Sequence, residues 1–133
     1  MKIEFVVPGV PKAKQRPRHT KTGRTYTPKE TIAYEQWVKL CWMEQSGKRL
    51  EDGKPITAHV TLFFPIPASV SKKKREEMIG TPHIKKPDVD NCVKSILDGC
   101  QGCVFDNDSR IWRTTVEKRY GTEARAEVFL ETI

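Results

Sequence analysis

The chain has 133 residues, 37% hydrophobic and 31% charged, enough for one compact domain with a real core and too few for a separate recruiting module. No run approaches the roughly 18 apolar residues of a membrane span, and the opening MKIEFVVPGVPK lacks the basic head and longer apolar run of a secretory signal, so a soluble cytoplasmic protein with no membrane partner is expected. Lys and Arg number 24 against 17 Asp and Glu, and the resulting +7 points to a polyanionic partner such as nucleic acid or acidic lipid headgroups.

In chain order, Lys2 to Val7 reads as a short strand that Pro8 and Pro11 end. A basic loop or arm follows over about residues 8 to 27, with no helical or strand period. Thr27, Pro28 and Glu30 then form the pattern of a capping box, and a helix is expected to run to about Ser46, where Gly47 stops it. Its apolar stripe is read as Ile32, Tyr34, Trp37, Val38, Cys41 and Trp42. Ile56 to Phe64 alternates apolar and polar residues, as a half-buried strand does, and is closed by Pro65 and Pro67. Ser71 to Ile79 is a short helix capped by Ser69 or Ser71. A second helix over about residues 89 to 100 turns Val89, Val93, Ile96, Leu97 and Cys100 toward the core. Two strands, Ile111 to Tyr120 and Ala124 to Leu130, finish the chain around a tight turn at Gly121. The order β-α-β-α-α-β-β in a single domain predicts an α+β fold, a mixed β-sheet with helices packed on one face.

Charge is distributed unevenly along this frame. Residues 5 to 29 contain Lys12, Lys14, Arg16, Arg18, Lys21, Arg24 and Lys29 with no acid, and this stretch accounts for the whole basic excess. Lys72, Lys73, Lys74 and Arg75 form a second basic run, shortly before Lys85 and Lys86. Residues 87 to 109 reverse the sign, with Asp88, Asp90, Asp98, Asp106 and Asp108 against the single base Lys94. The four cysteines include one C-x-x-C, Cys100 and Cys103, with no second ligand pair at zinc spacing, so reduced thiols are expected. His19, His59 and His83 are scattered and read as surface or strand residues.

The acidic stretch carries the chemistry. Two helical residues two apart diverge by about 200°, but Pro87 biases Lys86 toward extended geometry, and Asp88 at the cap position can bring its carboxylate over the helix entrance beside Asp90. Ordinary helix capping also places acids there, worth roughly 0.3 to 1 kcal/mol. If the chain reverses after Gly99 and Gly102, Asp106 or Asp108 approaches the pair, and three gathered carboxylates require a proton or a divalent cation. All-oxygen ligation selects Mg²⁺, with Mn²⁺ able to substitute, and such a cation on a basic protein suits phosphodiester cleavage.

Asp88-Val89-Asp90-Asn91, then Lys94 and Asp98, and later Asn107-Asp108-Ser109-Arg110-Ile111 resemble the D-x-D-N-x-x-K and D-D-x-Q-V signature of RusA-type Holliday-junction resolvases. Pro11-Lys12-Ala13-Lys14-Gln15-Arg16-Pro17-Arg18, with Tyr26-Thr27-Pro28, is similar to the P-x-x-K-x-R-P-R and YTP pattern of the family, and Lys118-Arg119-Tyr120-Gly121 to a later block. The resemblance covers most of the chain. It implies one RusA-like nuclease domain over residues 1 to 133, bacterial or phage-encoded, with Asp88, Asp90 and Asp108 as metal ligands and catalytic residues. Lys94 becomes the essential lysine, and Lys118 and Asp106 supporting residues. Asn107 and Arg110 depart from the pattern, which leaves the choice between Asp106 and Asp108 open, with Asp108 favoured.

The resulting expectation is a Mg²⁺-dependent structure-selective endodeoxyribonuclease that resolves Holliday junctions by paired hydrolysis. Its partner is branched DNA in the form of four-way junctions. A four-way junction has approximate two-fold symmetry, so a homodimer is expected. Lys12, Lys14, Arg16, Arg18, Arg24, Lys72, Lys73, Lys74 and Lys86 would hold phosphates with little base information. The competing expectations are a noncatalytic basic nucleic-acid-binding protein, whose aspartates merely cap a helix, and a related nuclease acting on flaps, forks or RNA.

Overall fold

The structure, a computed structural model, describes residues 1 to 133. Its strands are β1 (Lys2–Pro8), the two-residue pieces β2 (Arg18–His19) and β3 (Thr25–Tyr26), β4 (Ile56–Pro65), β5 (Ile111–Gly121) and β6 (Arg125–Thr132). Its helices are α1 (Lys29–Gln45), α2 (Lys72–Met78) and α3 (Val89–Cys100). The main sheet has four strands in the order β1-β6-β4-β5, and the arm folds its own small hairpin from β2 and β3. The α+β class and the mixed sheet are as expected.

Strand β4 explains the topology. Ile56, Ala58, Val60, Leu62 and Phe64 are buried while the residues between them are only half-buried, so one face is core and the other is polar. It pairs antiparallel with β6 and parallel with β5. A parallel pair needs a long crossover, and the segment carrying α2 and α3 provides it. The last two strands, neighbours in sequence, are therefore not neighbours in the sheet. The connection between Gly121 and Arg125 crosses the end of β4, about 10 Å at the usual strand spacing, which three extended residues can span. Pro65 ends β4 in register with Gly121, and a Cβ on Gly121 would lie 3.0 Å from the Phe63 ring, so the crossing point has no room for a side chain.

Both long helices pack on the same sheet face, joining Ile3, Phe5, Leu62, Val128 and their neighbours in one core of 21 buried residues. Helix α1 starts one residue later than a Thr27 cap requires: Pro28 is the cap residue and no side chain caps the helix, so the capping box does not form. Its buried residues are Thr31, Tyr34, Val38, Cys41 and Trp42, a regular 3.6-residue stripe. Ile32 and Trp37, expected on that stripe, fall off it and are 43% and 39% exposed. Gly47, at φ +67, closes the helix with its N–H on the Trp42 carbonyl. Helix α2 is capped by Ser71, whose side chain accepts from the Lys74 N–H at 3.2 Å.

Helix α3 has the expected limits but a rotated face. Cys92, Ser95, Ile96, Gly99 and Cys100 are buried, whereas Val89 is exposed and Val93 and Leu97 are only partly covered. Small residues are selected here by the approach of α1: a Cβ on Gly99 would lie 3.0 Å from both the Glu35 carbonyl oxygen and the Val38 Cβ. Backbone cannot yield as a flexible side chain does. Gly99→Val is expected to lower unfolding free energy by about 1 to 3 kcal/mol through overpacking, read as a lower denaturant midpoint at unchanged slope.

Candidate functional site

Both acids at the entrance to α3 are exposed. The Lys86–Pro87 peptide is cis, and Asp88 takes the cap position in extended geometry (φ -69, ψ 143). Its carboxylate makes no capping hydrogen bond. Asp90 follows in the first helical turn, so both acids stand at the positive end of the helix dipole. Acids whose only duty was to cap would accept from the N2 or N3 amide; the Asp88 side chain does not.

Lysines flank the pair along the chain. Lys85 and Lys86 are exposed on the preceding loop, and Lys94 lies one turn along the helix, 59% exposed. Lys118 of β5 plays another part: its Nζ donates to the carbonyl oxygens of Lys85 and Pro87, at 2.6 Å in the second case, and so fixes the loop that delivers Asp88. Its cation also lies 5.8 Å from the Phe64 ring centroid. His83 completes the support, its ring stacked on Phe64 at 4.2 Å and its backbone N–H donating to the Lys118 carbonyl at 3.0 Å. Burial lowers the His83 pKa, with Lys118 and Lys85 adding to the effect, so the imidazole stays neutral and packs as an aromatic ring.

The second acidic cluster does not join the first within one chain. After α3 the chain turns sharply at Gly102 (φ +87), and Val104 and Phe105 plug the core. Asp108 then opens a short 3-10 turn, Asp108–Arg110, at the far end of the helix. There it contacts Gln101, the residue that ends α3: the Gln101 amide either accepts from the Asp108 N–H at 3.4 Å or, turned over, donates to both carboxylate oxygens at 3.3 Å. A helix of 12 residues separates the two places by about 18 Å at 1.5 Å per residue. The expected reversal is real, but β5 runs back from that far end, and it is Lys118, not Asp108, that returns to the acid pair. No three His, Cys, Asp or Glu side chains converge on a metal position in a single chain.

Asp106 is engaged elsewhere. Arg110 Nη1 donates to its carboxylate at 2.6 Å, and this contact holds the Asp106 carboxyl below the usual carboxylate range. The same guanidinium reaches the carbonyl oxygens of Lys54 and Glu51, which makes Asp106 and Arg110 a structural clamp. Of the two alternatives, Asp108 is the acid left free of an ion pair.

Among the expected phosphate contacts, Lys12, Arg16, Arg18, Arg24, Lys72, Lys73, Lys74 and Lys86 are exposed. Lys14 is not available in the same way. Its ammonium contacts Asp98 and lies 3.3 Å from Glu35, partly buried between α1 and α3. All four cysteines are free; burial pushes the Cys92 thiol up to about 11 and the Cys100 thiol further, so neither is a reactive thiolate at neutral pH. A groove of about 540 Å³ lies away from the acid pair beside the β1 edge and the polar sheet face, where Glu4 and Glu127 disfavour a phosphate.

The family of endodeoxyribonuclease RusA matches residues 8 to 131, nearly the whole chain. The protein belongs to the RusA family. It is also 32% identical, over 98% of its own length and 96% of the other's, to the uncharacterized protein YqaN of Bacillus subtilis (strain 168). Membership makes this an endodeoxyribonuclease fold. No helix in it is long and apolar enough to cross a membrane.

Two features of this RusA-family site escape a motif reading. The first is what Lys118 does: the family block points to the residue, but its partners are backbone carbonyls, which leave no mark in the sequence. The second is the Lys14–Asp98 contact, 84 residues apart. Lys118→Met is expected to leave the unfolding transition in place, to raise amide exchange over residues 85 to 90 and to reduce DNA cleavage roughly 10- to 100-fold, the scale that small misplacements of reacting groups produce.

Proposed function

We propose that the protein is a Mg²⁺-dependent, structure-selective endodeoxyribonuclease that resolves Holliday junctions as a homodimer, with Mn²⁺ able to replace Mg²⁺. The observation that carries this reading is the exposed Asp88 and Asp90 pair at the entrance of α3, with the Asp88 carboxylate left uncapped and lysines close by. Hard carboxylate oxygens suit the cation, and Asp88, Asp90 and Asp108 are the residues that would hold it. The bound ion supplies Lewis acidity at the phosphoryl oxygen and a water of lowered pKa.

The chain's own residues do the rest. Lys94 stabilises charge developing on the phosphoryl oxygens or orients the attacking water. Lys118 keeps the Asp88 loop in place through Pro87. The arm, the β2–β3 hairpin and the Lys72–Lys74 run grip backbone phosphates, so discrimination rests on DNA shape more than on base sequence. Because Asp108 stands about 18 Å from the pair along α3, the third carboxylate reaches it only from a second copy. A two-fold dimer then presents two composite sites, one for each strand to be cut in a four-way junction.

Asp90→Asn is expected to abolish cleavage of a labelled four-way junction in Mg²⁺ while junction binding persists; cleavage at the unmodified rate would remove the assignment. Mixed dimers test the composite site. A dimer of one Asp90→Asn chain and one Asp108→Asn chain keeps one intact site if ligands are shared between copies and none if they are not, so single-strand nicking supports sharing and complete inactivity counts against it. A noncatalytic binding protein would bind equally with and without EDTA and cut nothing. Comparing junction, fork, flap and duplex DNA, with RNA alongside, reads the substrate preference directly.

A further inference from the structure

We infer that Lys14 is a positioning residue which docks the basic arm along α3 and keeps the Lys94 ammonium from being captured by Asp98; this rests on the nuclease reading for its effect on cleavage, though not for its effect on the arm. Three contacts define the docked path. Ser95 Oγ donates to the Lys12 carbonyl at 2.6 Å, the Lys14 N–H donates to the Asn91 carbonyl at 2.9 Å, and the Gln15 N–H donates to Thr31 Oγ1 at 3.2 Å. As the arm advances from Lys12 to Lys14 its partner on α3 moves back from Ser95 to Asn91, one turn toward the helix entrance. Over these residues the arm therefore runs toward the entrance of α3, before Gln15 passes to Thr31 at the start of α1.

The ionic contact locks this path. Lys14 Nζ contacts Asp98 Oδ2, and Lys94 Nζ lies 3.9 Å from that same oxygen. Asp98 is only 16% exposed, so its charge is weakly screened and draws whichever cation is nearest. Lys94 sits midway between Asp90 and Asp98, one helical turn from each. With Lys14 in place, Asp98 is neutralised at close range and holds Lys94 only loosely, at 3.9 Å; without it, Lys94 is the remaining partner and that contact tightens, away from the helix entrance. Burial alone lowers the affinity of Lys14 for its proton, but Asp98 and Glu35 outweigh it and the net shift is upward, so the ammonium stays charged.

The test uses the full-length protein with Lys14→Met, Lys14→Arg and the double variant Lys14→Met/Asp98→Asn. Amide exchange without DNA or metal is expected to rise over residues 12 to 26 in Lys14→Met and to remain near the unmodified level in Lys14→Arg. Junction cleavage at saturating DNA is expected to fall about tenfold in Lys14→Met, with Kd changed by less than threefold, and to return toward the starting rate in both Lys14→Arg and the double variant. Recovery on removing a second charge is what a merely structural ion pair would not produce. Unchanged exchange in Lys14→Met overturns the docking, and a double variant as slow as Lys14→Met overturns the capture of Lys94. If the unmodified protein cuts no branched DNA, the nuclease reading fails, while the exchange comparison still decides whether Lys14 holds the arm.

Discussion

The contact of α3 with α1 leaves no space for a side chain, and the placement of the charged groups depends on it. At Gly99 the two helices are close enough that a Cβ would touch backbone. Close approach fixes the rotation of α3, which puts Cys92, Ser95 and Ile96 inward and leaves Asp90, Asn91 and Lys94 exposed. It also sets the distance across which Lys14, arriving between the helices, meets Glu35 on one and Asp98 on the other. A looser interface would let water screen that triad and would weaken the hold on the arm.

Electrostatically, acids that build the structure differ from acids that are available. Asp98 and Asp106 each have a close cation, Lys14 and Arg110, and both cations are largely buried. Asp88 and Asp90 lie instead at an exposed helix entrance, where the dipole favours negative charge and nearby lysines balance it at longer range. Nearby lysine is itself diverted: Lys118, adjacent to the same loop, donates to carbonyl oxygens and not to a carboxylate. Basic residues thus shape and hold the loop while the Asp88 carboxylate stays free of a capping hydrogen bond.

Local elements were legible in the sequence because their signals are local. The alternation from Ile56 to Phe64 and the limits of α3 were readable, since period and punctuation by proline and glycine act over a few residues. The family blocks around Asp88 and Lys118 were readable for the same reason. The sheet order was not: Ile111–Gly121 and Arg125–Thr132 look like a hairpin, and only the parallel crossover through α3 separates them. On α3 the large apolar side chains suggest a buried face through Val89, Val93 and Leu97, whereas Ser95 and Gly99 are buried because they are small. Asp108 was expected beside Asp90 because a reversal after Gly102 brings the chain back. The sequence does not show that the reversal leads into a strand on which Lys118 is the residue that returns.

The uncapped Asp88 bears on the choice between an enzyme and a simple DNA-binding module. An Asp that occupies the cap position without accepting from the first-turn amides forgoes about 1 kcal/mol that a conventional cap supplies. A noncatalytic binder has no reason to leave that stabilisation unused, and two carboxylates beside Lys86 and Lys94 would weaken its hold on phosphates. A metal-dependent nuclease has reason for both: the carboxylate must point outward to serve as a ligand, and the lysines are needed where phosphate and cation meet. Marginal loss of stability at the helix entrance, with tight packing further along at Ser95 and Gly99, is the distribution expected when a rigid helix carries functional groups at its exposed end.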